Sequence, residues 1–223
     1  MRLTYKTTLN ALVIIFLSCI SYAQNGTTVF DLSKIGDAKI WKVFNREVSV
    51  SNENENVVVH FNSQAGDGFA KLENFEFANG TIEIDIKGKD VQGNSFVGVV
   101  FRGLNDSTFD AVYFRPFNFM SNDSVRKSHS VQYISEPVYT WEKLRREYTG
   151  KYENQIKPAP DPNSFFHAKI VVEKPKVSVF VNNSNKPCLV VNELSNRVSG
   201  WLALWVGNYS EGTFANLEIT KNN

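Results

Sequence analysis

Apolar and polar positions along this chain alternate with a period of two far more often than they recur at helical spacing. The cleanest segment is Thr81–Lys87, in which Ile82, Ile84 and Ile86 face one way and Glu83, Asp85 and Lys87 the other. That pattern predicts a strand with one buried face. A longer stretch, Ser95–Tyr133, organises the middle of the chain. Runs at Phe96–Arg102 and Phe109–Phe117 flank the polar turn Leu104–Ser107, and a third run, Ser130–Ile134, follows another polar loop. Alternation places Phe96, Gly98, Val100 and Arg102 on one face of the first run. Ala111, Tyr113, Arg115 and Phe117 share a face of the second.

Further strands are predicted at Val29–Leu32, Trp41–Phe44, Val48–Val50, Val57–Phe61, Phe69–Leu72 and Phe75–Phe77. Towards the C-terminus they follow at Phe165–Glu173, Val177–Val181, Cys188–Val191, Gly200–Val206 and Phe214–Thr220. Gly200–Val206 is almost continuously apolar, as a central strand requires, and Trp205 within it reads as core. Asn52–Asn56 reads as a solvated loop and Asn79-Gly80 as a tight turn.

One segment, residues 135–164, departs from the strand pattern. Trp141, Leu144 and Tyr148 recur at helical spacing, Glu142 and Arg146 form an i,i+4 pair, Pro137 precedes them and Gly150 can stop the helix. Pro158, Pro160 and Pro162 then enforce an extended connection. The whole predicts an all-β, two-sheet antiparallel jelly-roll sandwich with one short helix and loop laid over it.

The N-terminus adds a compartment. Arg2 and Lys6, the apolar run Ala11–Ile20 and the small-x-small triplet Ser21-Tyr22-Ala23 predict a signal peptide over residues 1–23. Residues 24–223 then form a single domain, secreted or periplasmic, with no membrane span after cleavage. Cys19 invites lipidation, but Phe16 stands where an aliphatic residue is usual, so plain export ranks higher. Removing residues 1–23 takes away two basic residues and no acidic one, turning a net charge of +1 into −1. A near-neutral surface argues against nucleic acid or an anionic membrane as the main partner. Only Cys188 remains, so packing rather than an intrachain disulfide must hold the domain, which is expected to be a monomer.

The order of segments resembles the concanavalin A-like lectin/glucanase superfamily. The resemblance rests on Phe30-Asp31-Leu32, on Asn79–Gly88, on Phe96–Gly103, on Tyr113–Phe117, and on the closing pair Gly200–Asn208 and Gly212–Ile219. More narrowly it resembles bacterial secreted 3-keto-disaccharide hydrolase-like and laminin-G-like proteins. The resemblance implies an extracytoplasmic protein directed at an oligo- or polysaccharide. Three readings are carried forward: a glycan-binding cleft, a glycoside hydrolase acting at that cleft, and a cell-surface adhesion or scaffold module. Family-16 glucanases of this fold carry two catalytic glutamates on one strand. Here the nearest match, Glu83-Ile84-Asp85, lacks the second glutamate, and exposed alternation accounts for both residues.

The candidate binding residues are Arg102, Tyr113 and Arg115 as a polar floor, and His129, Gln132 and Tyr133 beside it. Trp141 and Arg145 are candidates for a roof. Guanidinium forks suit hydroxyls or carboxylates, and aromatic rings present a flat apolar face. Glu136, Glu142, Glu147 and Glu153 border the insert as candidate acids, with no spacing that singles one out. No cofactor is expected. His60, His129 and His167 are too dispersed for a metal site, although Asn105, Asp106 and Asp110 could supply oxygens to a structural calcium.

Overall fold

A computed structural model describes residues 26–222, so the expected signal peptide and Cys19 lie outside the described residues. Among the described residues fifteen strands form two antiparallel sheets. The first contains β1 (Thr27–Phe30), β3 (Val48–Glu53), β4 (Asn56–Phe61), β6 (Asn79–Lys87), β11 (Phe166–Glu173), β12 (Lys176–Val181), β13 (Leu189–Asn192) and β15 (Gly212–Asn222). Its order is β13-β12-β11-β6-β15-β4-β3, with β1 paired to the C-terminal part of β15. The second contains β2 (Trp41–Phe44), β5 (Gly68–Phe77), β7 (Val97–Asn105), β8 (Thr108–Phe114), β9 (Val131–Ser135), β10 (Glu153–Asn154) and β14 (Gly200–Val206). Its order is β10-β9-β8-β7-β14-β5-β2.

The inward-facing residues of the two sheets meet in one core. Ile82, Ile84 and Ile86 of β6 are fully buried, as the alternation predicts. Phe114 of β8 meets Phe166 of β11 across the sheets at 4.9 Å, edge to face. Each such phenylalanine stabilises the sandwich by roughly 2–3 kcal/mol through burial. β14 lies between β7 and β5 and is buried on both faces, which explains its unbroken apolar run.

Several local expectations change. Phe69–Leu72 and Phe75–Phe77 belong to one continuous strand, β5. Asn52–Asn56 is no open loop: β3 and β4 pair up to Glu53 and Asn56, and Asn54 and Glu55 turn the chain with positive φ. Asn79-Gly80 closes no hairpin and instead lies where the chain passes from one sheet to the other. Gly80 has φ +147°, and a Cβ there would stand 2.0 Å from the Thr220 carbonyl oxygen.

The insert folds much as its pattern requires. Thr140 caps the helix Trp141–Glu147 by accepting from Lys143 N, Leu144 packs down into the core, and Gly150 follows with φ +69°. Arg146, however, pairs with its neighbour Glu147 at 2.8 Å rather than with Glu142. Two short helices that no pattern announced, at Pro116–Phe119 and Ser124–Lys127, link β8 to β9.

Candidate functional site

The outer face of the seven-stranded sheet carries a row of residues in register across all seven strands. From one edge to the other these are Phe44, Phe69, Trp205, Gly98, Tyr113, Gln132 and Glu153. Gly98 sits at the centre because nothing larger fits. A Cβ there would lie 2.2 Å from the Val112 carbonyl oxygen and 2.6 Å from Tyr113 Cα. The gap lets the Tyr113 ring lean towards Trp205, with centroids 5.2 Å apart. Trp205 therefore belongs to a floor as well as to the core. The signal was present in the alternation, since Trp201, Ala203 and Trp205 share one face of β14, but an apolar run hides which face is open.

At the β9–β10 end the row becomes polar. The Arg115 guanidinium, 4% exposed, donates to the His129 carbonyl at 3.0 Å and to the Tyr113 hydroxyl at 2.5 Å, and also reaches Gln132 Oε1. Tyr113 in turn donates to Gln132 Oε1 at 2.9 Å. Glu153, nearly inaccessible, gathers the charges: its Oε2 lies 2.7 Å from His129 Nδ1, 2.9 Å from Arg145 and 3.9 Å from Arg115. Arg145 also stacks on Trp141 at 5.0 Å. One carboxylate thus ties the sheet to the helix above it. Sequence alone places it among the four candidate acids of the insert without singling it out, because it stands on a two-residue strand with no pattern of its own.

Titration follows burial and charge. Burial pushes the Tyr113 phenol up to about 12, which keeps it a neutral donor. Burial lowers Arg115 from its ordinary value, opposed by Tyr113 and Glu153. Burial also lowers His129 from its ordinary value; Arg145 and Arg115 add to this and Glu153 opposes it, so the ring is neutral at pH 7.

Two adjoining depressions lie over this floor. The larger, about 590 Å³, is lined by Arg115, Asn118, Arg126, His129, Trp141 and Arg145. The smaller, about 260 Å³, is lined by Asp67, Tyr113, Glu136, Thr140 and Trp205. Phe96, Trp141, Glu142 and Asn208 border both, so they form one groove with a cationic end and an acidic end. Burial, with Asp67 and Glu142 nearby, pushes the Glu136 carboxyl up to about 6. Asp67 is also raised, by the enclosing walls, against the Trp205 indole and Arg46. A further depression of about 610 Å³ begins on the far side of Asp67, over Phe44 and Phe69.

The structure therefore brings together Tyr113, Arg115, His129, Gln132, Trp141 and Arg145. It separates the other two candidates from them. Arg102 is fully buried at a β-bulge, with φ 50°, which turns it off the face predicted by alternation. Its guanidinium pairs with Glu193 and donates to Ala78 O at 3.0 and 2.8 Å and to Asn79 Oδ1 at 2.9 Å, joining the two sheets at the sandwich rim. Tyr133 points into the core, donating to Asp110 at 3.1 Å and accepting from Leu194 N at 3.2 Å. Asp110 is likewise interior, held by Arg197 and Ser195 at 2.7 Å each, and so does not join Asn105 and Asp106 at the hairpin tip. Among the described residues no three His, Cys, Asp or Glu side chains cluster as a metal site would require. Glu83 and Asp85 face outward on the other sheet, where Asp85 accepts from His167 at 2.8 Å and from Asn216 at 2.8 Å. They are remote from the groove.

Comparison with solved structures agrees with this architecture. The chain is similar to the carbohydrate-binding module CBM66 from Bacillus subtilis at 16% identity and TM-score 0.54, over 82% of this chain and 92% of that one. The fold is the concanavalin A-like jelly roll. A glycoside hydrolase family 16 endo-glucanase from Bacteroides ovatus is similar at 12% identity and TM-score 0.54, over 82% and 95% of the two chains. Domain 4 of AbnA, an extracellular arabinanase from Geobacillus stearothermophilus, in complex with arabinotriose, is similar at 10% identity and TM-score 0.52, over 82% of each. No family model matches the jelly-roll chain. No curated protein matches it either.

Proposed function

We propose that this jelly roll binds a glycan in the groove over its seven-stranded sheet, outside the cytoplasm as the N-terminal segment implies. The observation that carries the reading is the Tyr113–Trp205 floor, walled by Trp141 and flanked by the Arg115, His129 and Arg145 donors. Apolar rings with a few fixed polar groups are what an amphipathic sugar ring needs: a flat surface for its C–H face and donors for its hydroxyls. The similar solved proteins, several of them named for carbohydrate binding or hydrolysis, support it. The test is affinity electrophoresis of residues 24–223 against a polysaccharide panel. Retention of a bound glycan should weaken at least tenfold in Trp141→Ala, with the variant's fold checked by circular dichroism because Trp141 is half-exposed. Absence of retention on every glycan would end the reading.

A second reading, glycoside hydrolysis, is favoured by one observation. Asp67 and Glu136 line the same small cavity beside the aromatic floor, and Glu136 titrates near 6, where a general acid is useful. Release of reducing ends by the wild type and its loss in Glu136→Gln would establish it.

A further inference from the structure

Resting on the glycan-binding reading, we propose that the cationic end of the groove receives an anionic group of the sugar, a carboxylate or a sulfate. Three guanidinium groups, Arg115, Arg126 and Arg145, line that depression together with His129 and the Asn118 amide. Within 4 Å of them the described residues place one carboxylate, the buried Glu153, and it is shared among Arg115, Arg145 and His129. Arg126 has no carboxylate partner among the described residues. Its Nε donates to Asn118 Oδ1 at 3.3 Å and its Nη2 to the Phe117 carbonyl at 3.2 Å, contacts that hold the fork without neutralising it. On the groove side three arginines therefore stand against Glu153 and Glu142, while Asp90 and Asp123 line a separate depression on the other side of Arg126, and planar guanidinium forks match the geometry of carboxylate and sulfate oxygens. Glu142, at the seam between the two depressions and without an ion-pair partner among the described residues, opposes an anion from the other side. A neutral sugar would leave the Arg126 fork with hydroxyl acceptors alone.

Calorimetry on residues 24–223 tests this with four probes: an oligogalacturonate, its methyl ester, a sulfated heparin-derived oligosaccharide, and a neutral cello-oligosaccharide. At low salt at least one anionic probe binds ten times or more tighter than both uncharged ones, and the difference shrinks with added NaCl. Which anionic probe wins separates carboxylate from sulfate. Arg126→Gln removes most of the preference, Arg126→Lys restores part of it, and Glu142→Gln strengthens anion binding. Equal affinity for charged and neutral sugars, or retention of neutral sugars alone, overturns the inference while leaving glycan binding intact. Binding of no probe, coupled with no retention on the polysaccharide panel, overturns both.

Discussion

The Tyr113 ring leans against the Trp205 indole across the strand that carries Gly98, at a centroid distance of 5.2 Å. The arrangement depends on an absent side chain. Gly98→Ala would drive a methyl group to 2.2 Å from a backbone oxygen and 2.8 Å from Tyr113 Cβ. Neither neighbour is the free end of a flexible chain, so the substitution is expected to cost about 2 kcal/mol. Urea denaturation would show this as a lowered midpoint, together with weakened glycan retention. An unchanged midpoint would mean the strands can spread freely there.

Glu153→Gln is expected to destabilise the domain by about 3 kcal/mol, since it leaves Arg115 and Arg145 buried or half-buried without their shared counter-charge. Circular dichroism melts would register the loss. Glycan affinity measured well below the melting point should fall as well, because the same carboxylate orients His129 and Arg145.

Arg102 gives the opposite pattern. Its pairing with Glu193 is interior and remote from the groove, so Arg102→Ala should cost roughly 3–5 kcal/mol while the folded fraction binds glycan normally. Replacing Arg102 and Glu193 together by apolar residues should be less damaging than replacing Arg102 alone. A selective loss of binding in the single variant would return Arg102 to the site.

Glu136 predicts a pH signature. Its folded pKa, pushed up to about 6 from 4.5, means that the native state holds a proton the unfolded chain releases. Stability therefore falls as pH rises from about 4.5 to 6, and the cost is fully present above that. Glu136→Gln should be more stable than the wild type above pH 6, by about 1 kcal/mol after allowance for solvent screening, and equal to it below pH 4.5. Thermal melts across pH 4–8 decide the point.

Cys188 should be unreactive in the native protein. Burial pushes its thiol up to about 12, and its Sγ lies 3.3 Å from the Val179 carbonyl oxygen. Labelling with a thiol reagent at pH 7 should be far slower in the native protein than in the urea-unfolded chain.

The sandwich was legible because its strands alternate or run unbroken between turn residues: Trp41–Phe44 and Gly200–Val206 appear with the bounds their patterns predict. Part of the site was legible for the same reason, since Tyr113 and Gln132 are cross-strand partners on β8 and β9 and Arg115 directly follows the end of β8. What stayed hidden depends on departures from regularity. The bulge at Arg102 reverses a face without changing composition, and Tyr133 satisfies its hydroxyl inside the core on Asp110. Glu136 and Glu153 were candidates that nothing singled out and Asp67 was not one, because they stand on a two-residue strand and on loops, where period-two reasoning has nothing to count.

Glu153 has one consequence for recognition. It belongs to the last strand of the sheet yet grips Arg145 on the helix that walls the groove, so wall and base cannot separate without stranding an ion inside the protein. On the proposed glycan-binding reading, an incoming sugar meets a finished mould rather than a hinge. The ordering entropy was already spent when the chain folded, and association can proceed without waiting for a lid.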